Sequence, residues 1–288
     1  MKKLLIILML IGIALGFYQV FFQVEEESDN VDVTTKNIFK NMPGMQVTTS
    51  NDIGLITLNG VISFSSADFT GMSTAGSLIN AFNHFEDSPV KAVILRINSP
   101  GGSIGAVQEV CYAMDSFRAK GKKIVASFKD ISASGGYYIS CHADEIVANP
   151  GTLTGSIGVI MQFPSFKGLF EKYGIKYNTI KSGEFKDIGN MGREMTDREK
   201  ELLQSCVDDS YAQFVQAVVD GRGIPTDEVK AIADGRIFTG RQAKEKKLVD
   251  ELGGMDVAIE VAKKIAGIEV KEPKLVKYRP KFNFFNLF

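Results

Sequence analysis

The sequence predicts an α/β fold with a largely parallel sheet, preceded by one N-terminal transmembrane helix. Three observations carry that expectation. Short runs rich in Val and Ile alternate with longer helical stretches from Ile53 onward, as strands alternate with crossover helices. Glycine-bearing loops stand at 98–103, 132–136 and 154–158, several of them where such a run ends. Leu4 to Phe22 is an apolar run behind Lys2 and Lys3, long enough to cross a hydrocarbon core as a helix.

That first run ends in Phe-Tyr-Gln-Val-Phe-Phe-Gln-Val and offers no small-x-small cleavage site and no lipid-accepting cysteine. It therefore reads as an uncleaved anchor rather than a removed leader. Basic residues before it and Glu25, Glu26 and Glu27 after it place the N-terminus in the cytoplasm. The expected location is the cell membrane, single-pass, with the rest of the chain extracytoplasmic. Residues 1–23 are then the cytoplasmic terminus and anchor, and 24–50, polar and weakly periodic, a flexible linker. A folded domain is expected over 51–270, with a C-terminal strand and aromatic tail over 271–288.

Within the domain, Ile53-Gly-Leu-Ile-Thr-Leu-Asn-Gly reads as a strand ending in a turn, and Ser73 or Thr74 caps a helix running to about Phe85. Lys91–Ile97 is a buried-type strand; a loop and a helix to about Lys120 follow. Lys123–Phe128, Glu145–Ala148, Ile157–Met161 and Ile175–Ile180 continue the strand series. Thr196 to about Gly223 is a long helix opening on Thr-Asp-Arg-Glu, a capping-box pattern. An amphipathic helix near 255–265 completes the domain.

Composition narrows the chemistry. A formal charge of −1 over 288 residues, with no basic stripe, argues against a nucleic-acid partner. Two histidines, His84 and His142, cannot furnish a histidine-rich zinc site and leave little material for a Ser-His-Asp triad. Cys111, Cys141 and Cys206 have no metal-ligand spacing and read as buried thiols.

Four segments carry possible chemistry. Ser132-Ala-Ser134-Gly-Gly-Tyr-Tyr138 follows a strand and opens a helix, so that Ser134 would present its hydroxyl at the top of the sheet; the same residues also make a plain strand–turn–helix junction. Tyr137 and Tyr138, at a helix start, read first as core. In Asn98-Ser-Pro-Gly-Gly102, consecutive glycines would free backbone N–H groups for an oxyanion, although Pro-Gly-Gly is first of all a turn. Thr154-Gly-Ser156-Ile-Gly158 offers a serine hydroxyl, equally a turn residue. Lys181-Ser-Gly-Glu-Phe-Lys186-Asp187 offers two lysines, and a lysine is a base only when its amine is desolvated and neutral.

The four segments, in this order over roughly residues 51–270, resemble the signal peptide peptidase A family, also called protease IV. The resemblance implies a Clp protease/crotonase-like fold of repeated β-β-α units, in the short form with a single catalytic unit. It implies a serine endopeptidase with a Ser-Lys dyad: Ser134 the nucleophile, Lys186 the general base, Ser156 bonded to the lysine, and the Gly101–Gly102 backbone part of the oxyanion hole. Lys181 is the nearest competitor for the base. No metal or organic cofactor is implied. Implied partners are short apolar peptides such as cleaved signal peptides, the membrane, and further copies of the chain. The alternative is a non-catalytic crotonase-like scaffold or acyl-binding protein at the membrane, which the glycine loops would also serve.

Overall fold

The computed structural model describes residues 48–64 and 75–278, which belong to one compact unit. The anchor, nearly all of the linker and the aromatic tail lie outside the described residues. Among the described residues, no helix is long and apolar enough to cross a membrane.

The fold is α/β. The described residues form eight strands: β1 (Ile53–Asn59), β2 (Ala92–Ser99), β3 (Lys123–Ala133), β4 (Glu145–Ala148), β5 (Leu153–Gly155), β6 (Ile237–Thr239), β7 (Glu251–Leu252) and β8 (Leu275–Lys277). They form one sheet in the order β6-β5-β3-β2-β1-β8, with β4 branching from β3 and β7 pairing with β4. Every pairing is parallel except β5 with β6. Strand β2 shows why the sheet forms here: Val93, Leu95 and Ile97 enter one core and Ala92 and Ile94 the other. A strand buried on both faces must be apolar throughout rather than alternating.

The larger core packs that first face under α1 (Ala75–Glu86), α2 (Ile104–Ala119) and α3 (Gly135–Ser140), around Phe82, Phe117 and Tyr137. On the second face, α8 (Met255–Ala266) lays Ala258 and Ala262 over Ile53, Ile94 and Val125; small residues let helix and sheet approach closely. Between them in sequence run α4 (Lys167–Lys172), a 3₁₀ turn (Glu184–Asp187), α5 (Asp197–Arg222), α6 (Thr226–Lys230) and α7 (Gly240–Glu245). Helix α5 opens on the expected capping box: Thr196 Oγ1 accepts from the Glu199 N–H at 3.2 Å, and Glu199 Oε2 from the Thr196 N–H at 2.8 Å. Its inner face reaches the core through Phe214, Val215 and Val218.

Two expected strands do not form. Residues 157–161 and 175–180 have no regular structure, and Ile160, Ile175 and Ile180 are exposed. Their β-branched composition favours a pleated surface only where a neighbouring strand is there to receive it; among the described residues none pairs with them, and Ile157 alone of these isoleucines enters the core. Of the three thiols, Cys111 and Cys141 are buried, as expected, whereas Cys206 is exposed on α5.

Candidate active site

The site is built at the carboxyl ends of β2, β3 and β5. Pairing of β2 with β3 sets Ile97 against Phe128 but Ser99 against Ser132, so β3 carries extra residues at a bulge. Past that point β3 pairs with β5, Ser132 with Thr154 and Ala133 with Gly155. Ser134 follows immediately. Its N–H donates to Gly155 O at 2.9 Å, and its backbone sits at φ 51°, ψ −122° before the chain turns into α3. A side chain held in that region costs about 1–3 kcal/mol, and such strain persists only where the surroundings over-determine it. Here the β5 bond fixes one side of the turn and helix α3 the other.

The 98–102 loop presses on this turn. Gly101 has φ 113°, and a Cβ placed on it would fall 2.8 Å from Gly135 N, 2.9 Å from Ser134 Cβ and 3.1 Å from Ser134 Oγ. Gly102 is pinned from behind: Ile62 N–H donates to Gly101 O at 2.9 Å, Ser103 N–H donates to Ile62 O at 3.0 Å, and a Cβ on Gly102 would lie 1.9 Å from Ile62 O. In a parallel bridge those two bonds use the groups flanking Gly102, so its own N–H points away from Ile62. On that other side lies α3: a Cβ on Gly135 would stand 3.1 Å from Gly102 N. The Gly101 N–H is committed internally, donating to Ser99 Oγ at 3.1 Å.

Ser156 repeats the geometry one strand over. It follows Gly155 as Ser134 follows Ala133, has φ 51°, and donates its N–H to Arg236 O at 2.8 Å. Register therefore makes Ser134 and Ser156 neighbours beyond the ends of adjacent parallel strands. Of the expected site residues, Ser134, Gly101, Gly102 and Ser156 come together.

A cavity of about 220 Å³ opens at Ser134, with Gly102, Val107, Tyr138, Met161 and Phe214 in its walls. Both tyrosines are core, as expected: Tyr137 is fully buried with its hydroxyl donating to Leu248 O at 2.9 Å, and Tyr138, also buried, lines the cavity as well. Neither histidine lines it. His142 Nδ1 stands 3.0 Å from Asp115 Oδ1, in a separate cleft of about 480 Å³ that Tyr138 also borders. His84 packs on Phe85 and Tyr278. Among the described residues, no three His, Cys, Asp or Glu side chains gather as metal ligands would.

The lysines separate clearly. Lys181 Nζ donates to Asp187 Oδ1 at 2.6 Å and to Glu184 O at 2.7 Å. Bonds from Arg193 and then Lys181 hold the Asp187 carboxyl well below the usual carboxylate range, so Lys181 is paired with an anion. Lys186 lies in the 3₁₀ turn, exposed, outside the walls of the Ser134 cavity. No hydrogen bond or ion pair to a described residue engages its amine. The sequence reading missed two parts of this geometry: Ser99 as the acceptor that orients Gly101, and Arg193 beside Asp187. Alternating charges over 181–199 were the available signal for the second.

The profile of peptidase family S49 matches residues 116–269. A Synechocystis protein named as a protease is 42% identical over 211 residues, which cover 72% of this chain and 76% of the relative. The chain belongs to peptidase family S49, the signal peptide peptidase A family. An Enterococcus faecium protein named as a signal peptide peptidase SppA is also 42% identical, over 62% of this chain and 52% of the relative. The chloroplast serine protease SPPA of Arabidopsis thaliana is 35% identical, over 70% of this chain but 31% of its own length. The S49 match begins within α2 and so takes in Ser134, Ser156 and Lys186; the Gly101–Gly102 loop precedes it. Membership makes the protein a peptidase.

Proposed function

We propose that the chain is a membrane-anchored serine endopeptidase that degrades cleaved signal peptides and other short apolar peptides through a Ser134–Lys186 dyad. The observation that carries this reading is the strained Ser134 turn with the Gly102 backbone N–H, turned away from Ile62, beside it. Strain of that kind clusters at reacting groups, and a backbone donor next to a nucleophile is what a tetrahedral oxyanion needs. The reading includes the Clp protease/crotonase-like form of the α/β fold and the N-terminal anchor at residues 1–23. The relatives' names, a serine protease and a signal peptide peptidase among them, support it.

In this mechanism neutral Lys186 Nζ takes the Ser134 Oγ proton as Oγ bonds to the scissile carbonyl carbon. Gly102 N–H holds the oxyanion, with Gly101 fixed behind it by Ser99. The carbon–nitrogen bond then breaks, the lysine returns the proton to the leaving amine, and water hydrolyses the acyl-enzyme. Ser156 orients the lysine amine. The apolar walls around Ser134, from Val107, Met161 and Phe214, suit apolar side chains next to the scissile bond.

A lysine serves as base only when water is kept from its amine, and Lys186 is exposed in the single chain. The exposed apolar residues on the same stretch, Ile160, Leu169, Tyr173, Ile175 and Ile180, suggest the cover: further copies of the chain, in a homo-oligomer, together with bound peptide.

The test is cleavage of an apolar peptide by the full chain in detergent, as wild type, Ser134→Ala and Lys186→Ala. Each substitution should lower kcat/KM by about 1,000-fold or more, with circular dichroism unchanged. Wild-type kcat/KM should rise towards alkaline pH, since a protonated lysine accepts no proton. A Lys186→Ala protein that keeps its activity overturns the dyad; a folded but inert wild type returns the scaffold reading.

A further inference from the structure

No residue of the 3₁₀ turn that carries Lys186 is fully buried, so apolar packing alone does not fix where that lysine stands. Charge does. Arg193 grips Asp187, the residue after the lysine, from Nε to Oδ2 at 2.9 Å, from Nη2 to Oδ1 at 2.8 Å, and from Nη2 to the Asp187 carbonyl at 3.2 Å. The same guanidinium grips Glu199 with Nη1 to Oε2 at 2.8 Å and a second, short bond from Nη2 to Oε1. Glu199 is the capping-box residue of α5, with its side chain only 2% exposed; that of Asp187 is 10% exposed.

Two more contacts close the frame. Lys181 ties Asp187 Oδ1 to the Glu184 carbonyl across the turn. Arg198, in the first turn of α5, donates to Glu184 Oε2 at 2.9 Å and lies 5.5 Å from the Phe185 ring centre. The turn is therefore fastened on both sides of Lys186 to the start of α5. Further along, the same helix contributes Ser210 and Phe214 to the cavity at Ser134.

We propose that Arg193 is a positioning residue for Lys186: through Asp187 and Glu199 it fixes the lysine turn to the helix that walls the nucleophile's cavity. A planar five-donor fork is suited to holding two carboxylates at once in fixed directions, which a lysine ammonium is not. Lys181 and Arg193 are both engaged by Asp187, whereas no hydrogen bond or ion pair to a described residue holds the Lys186 amine back from the serine. The proposal rests on the Ser134–Lys186 reading.

The experiment compares full-chain wild type, Arg193→Gln, Arg193→Lys, Asp187→Asn and Lys186→Ala on one apolar peptide, with Tm and circular dichroism recorded for each. Misplacing a reacting group by about 1 Å costs on the order of 100-fold. Arg193→Gln and the isosteric Asp187→Asn should therefore each lower kcat by about 10- to 100-fold, with KM changed by less than about threefold. Arg193→Lys, which keeps the charge but not the fork, should recover only part of the loss. If Lys186→Ala is inactive while Arg193→Gln and Asp187→Asn keep wild-type kcat, the positioning role is overturned and the dyad stands. The role is equally overturned if kcat falls only in proportion to lost folded protein, or if Arg193→Lys restores it fully. If Lys186→Ala is itself active, both readings fall, the second through the first.

Discussion

Ser134 and Ser156 are two non-glycine residues of the described chain at φ 51°, and glycine would adopt that backbone with less strain. Ser134→Gly should accordingly raise stability by about 1 kcal/mol, a Tm increase of about 2–4 °C for a domain of this size, while abolishing cleavage. Calorimetry checks it, and an unchanged or lower Tm would show that the turn is not strained. Gly102 runs the opposite way. Because a Cβ there meets Ile62 O at 1.9 Å, Gly102→Ala should cost about 1–3 kcal/mol and reduce kcat by displacing the N–H from Ser134; full activity at normal Tm would remove Gly102 from the oxyanion role. At this scale the sequence was informative where the backbone itself is special. Paired glycines and a serine after a strand announce a turn and a close approach. It did not single out Ser99, whose hydroxyl accepts from the N–H two residues on, a local bond that turn serines make whether or not a site lies beside them.

At the scale of elements, α5 shows what local pattern can and cannot reveal. Thr196 and Glu199 three residues apart announce the helix start in the sequence, but the two further carboxylate bonds of Glu199, both from Arg193, depend on how the 181–195 stretch folds back. Those bonds and the Thr196 N–H depress the Glu199 carboxyl from 4.5 to about 2. The sign follows directly: a carboxyl whose folded value lies below its unfolded one contributes stability above the unfolded value and loses it as pH falls through the folded one. Helix α5 should therefore weaken between about pH 4.5 and pH 2. Tm measured against pH over that window should fall more steeply for wild type than for Glu199→Gln, and equal slopes would contradict it. The misread strands at 157–161 and 175–180 teach the converse. Their composition is that of strands, yet pairing is a property of the neighbour, and no local window contains the neighbour.

For the whole molecule, the parallel sheet was legible because β1, β2, β3 and β4 follow one another with a helix between each pair; the pairings of β7 with β4 and of β8 with β1 join strands far apart in the chain and were not. What no single chain makes legible is its cover. Ile160, Leu169, Tyr173 and Ile180 stand in solvent on one stretch of sequence, an unusual burden of apolar surface for a stretch without a core of its own. On the homo-oligomer reading, the detergent-solubilised chain should sediment as an assembly, and Ile160→Asp with Ile180→Asp should shift it to smaller species with lower activity. A wild type that sediments as a monomer at all concentrations would remove that reading.

The unequal burial of the thiols has a practical consequence. Burial pushes the Cys141 thiol up to about 12 and that of Cys111 well above its ordinary value, so at neutral pH neither is the thiolate that alkylating reagents require. Cys206, on the exposed face of α5, is then the natural attachment point for a dye or spin label among the described residues, with no engineered background. It sits between the Arg193 end of the helix and Phe214, so a single label there would register, in real time, whether substrate moves the two together.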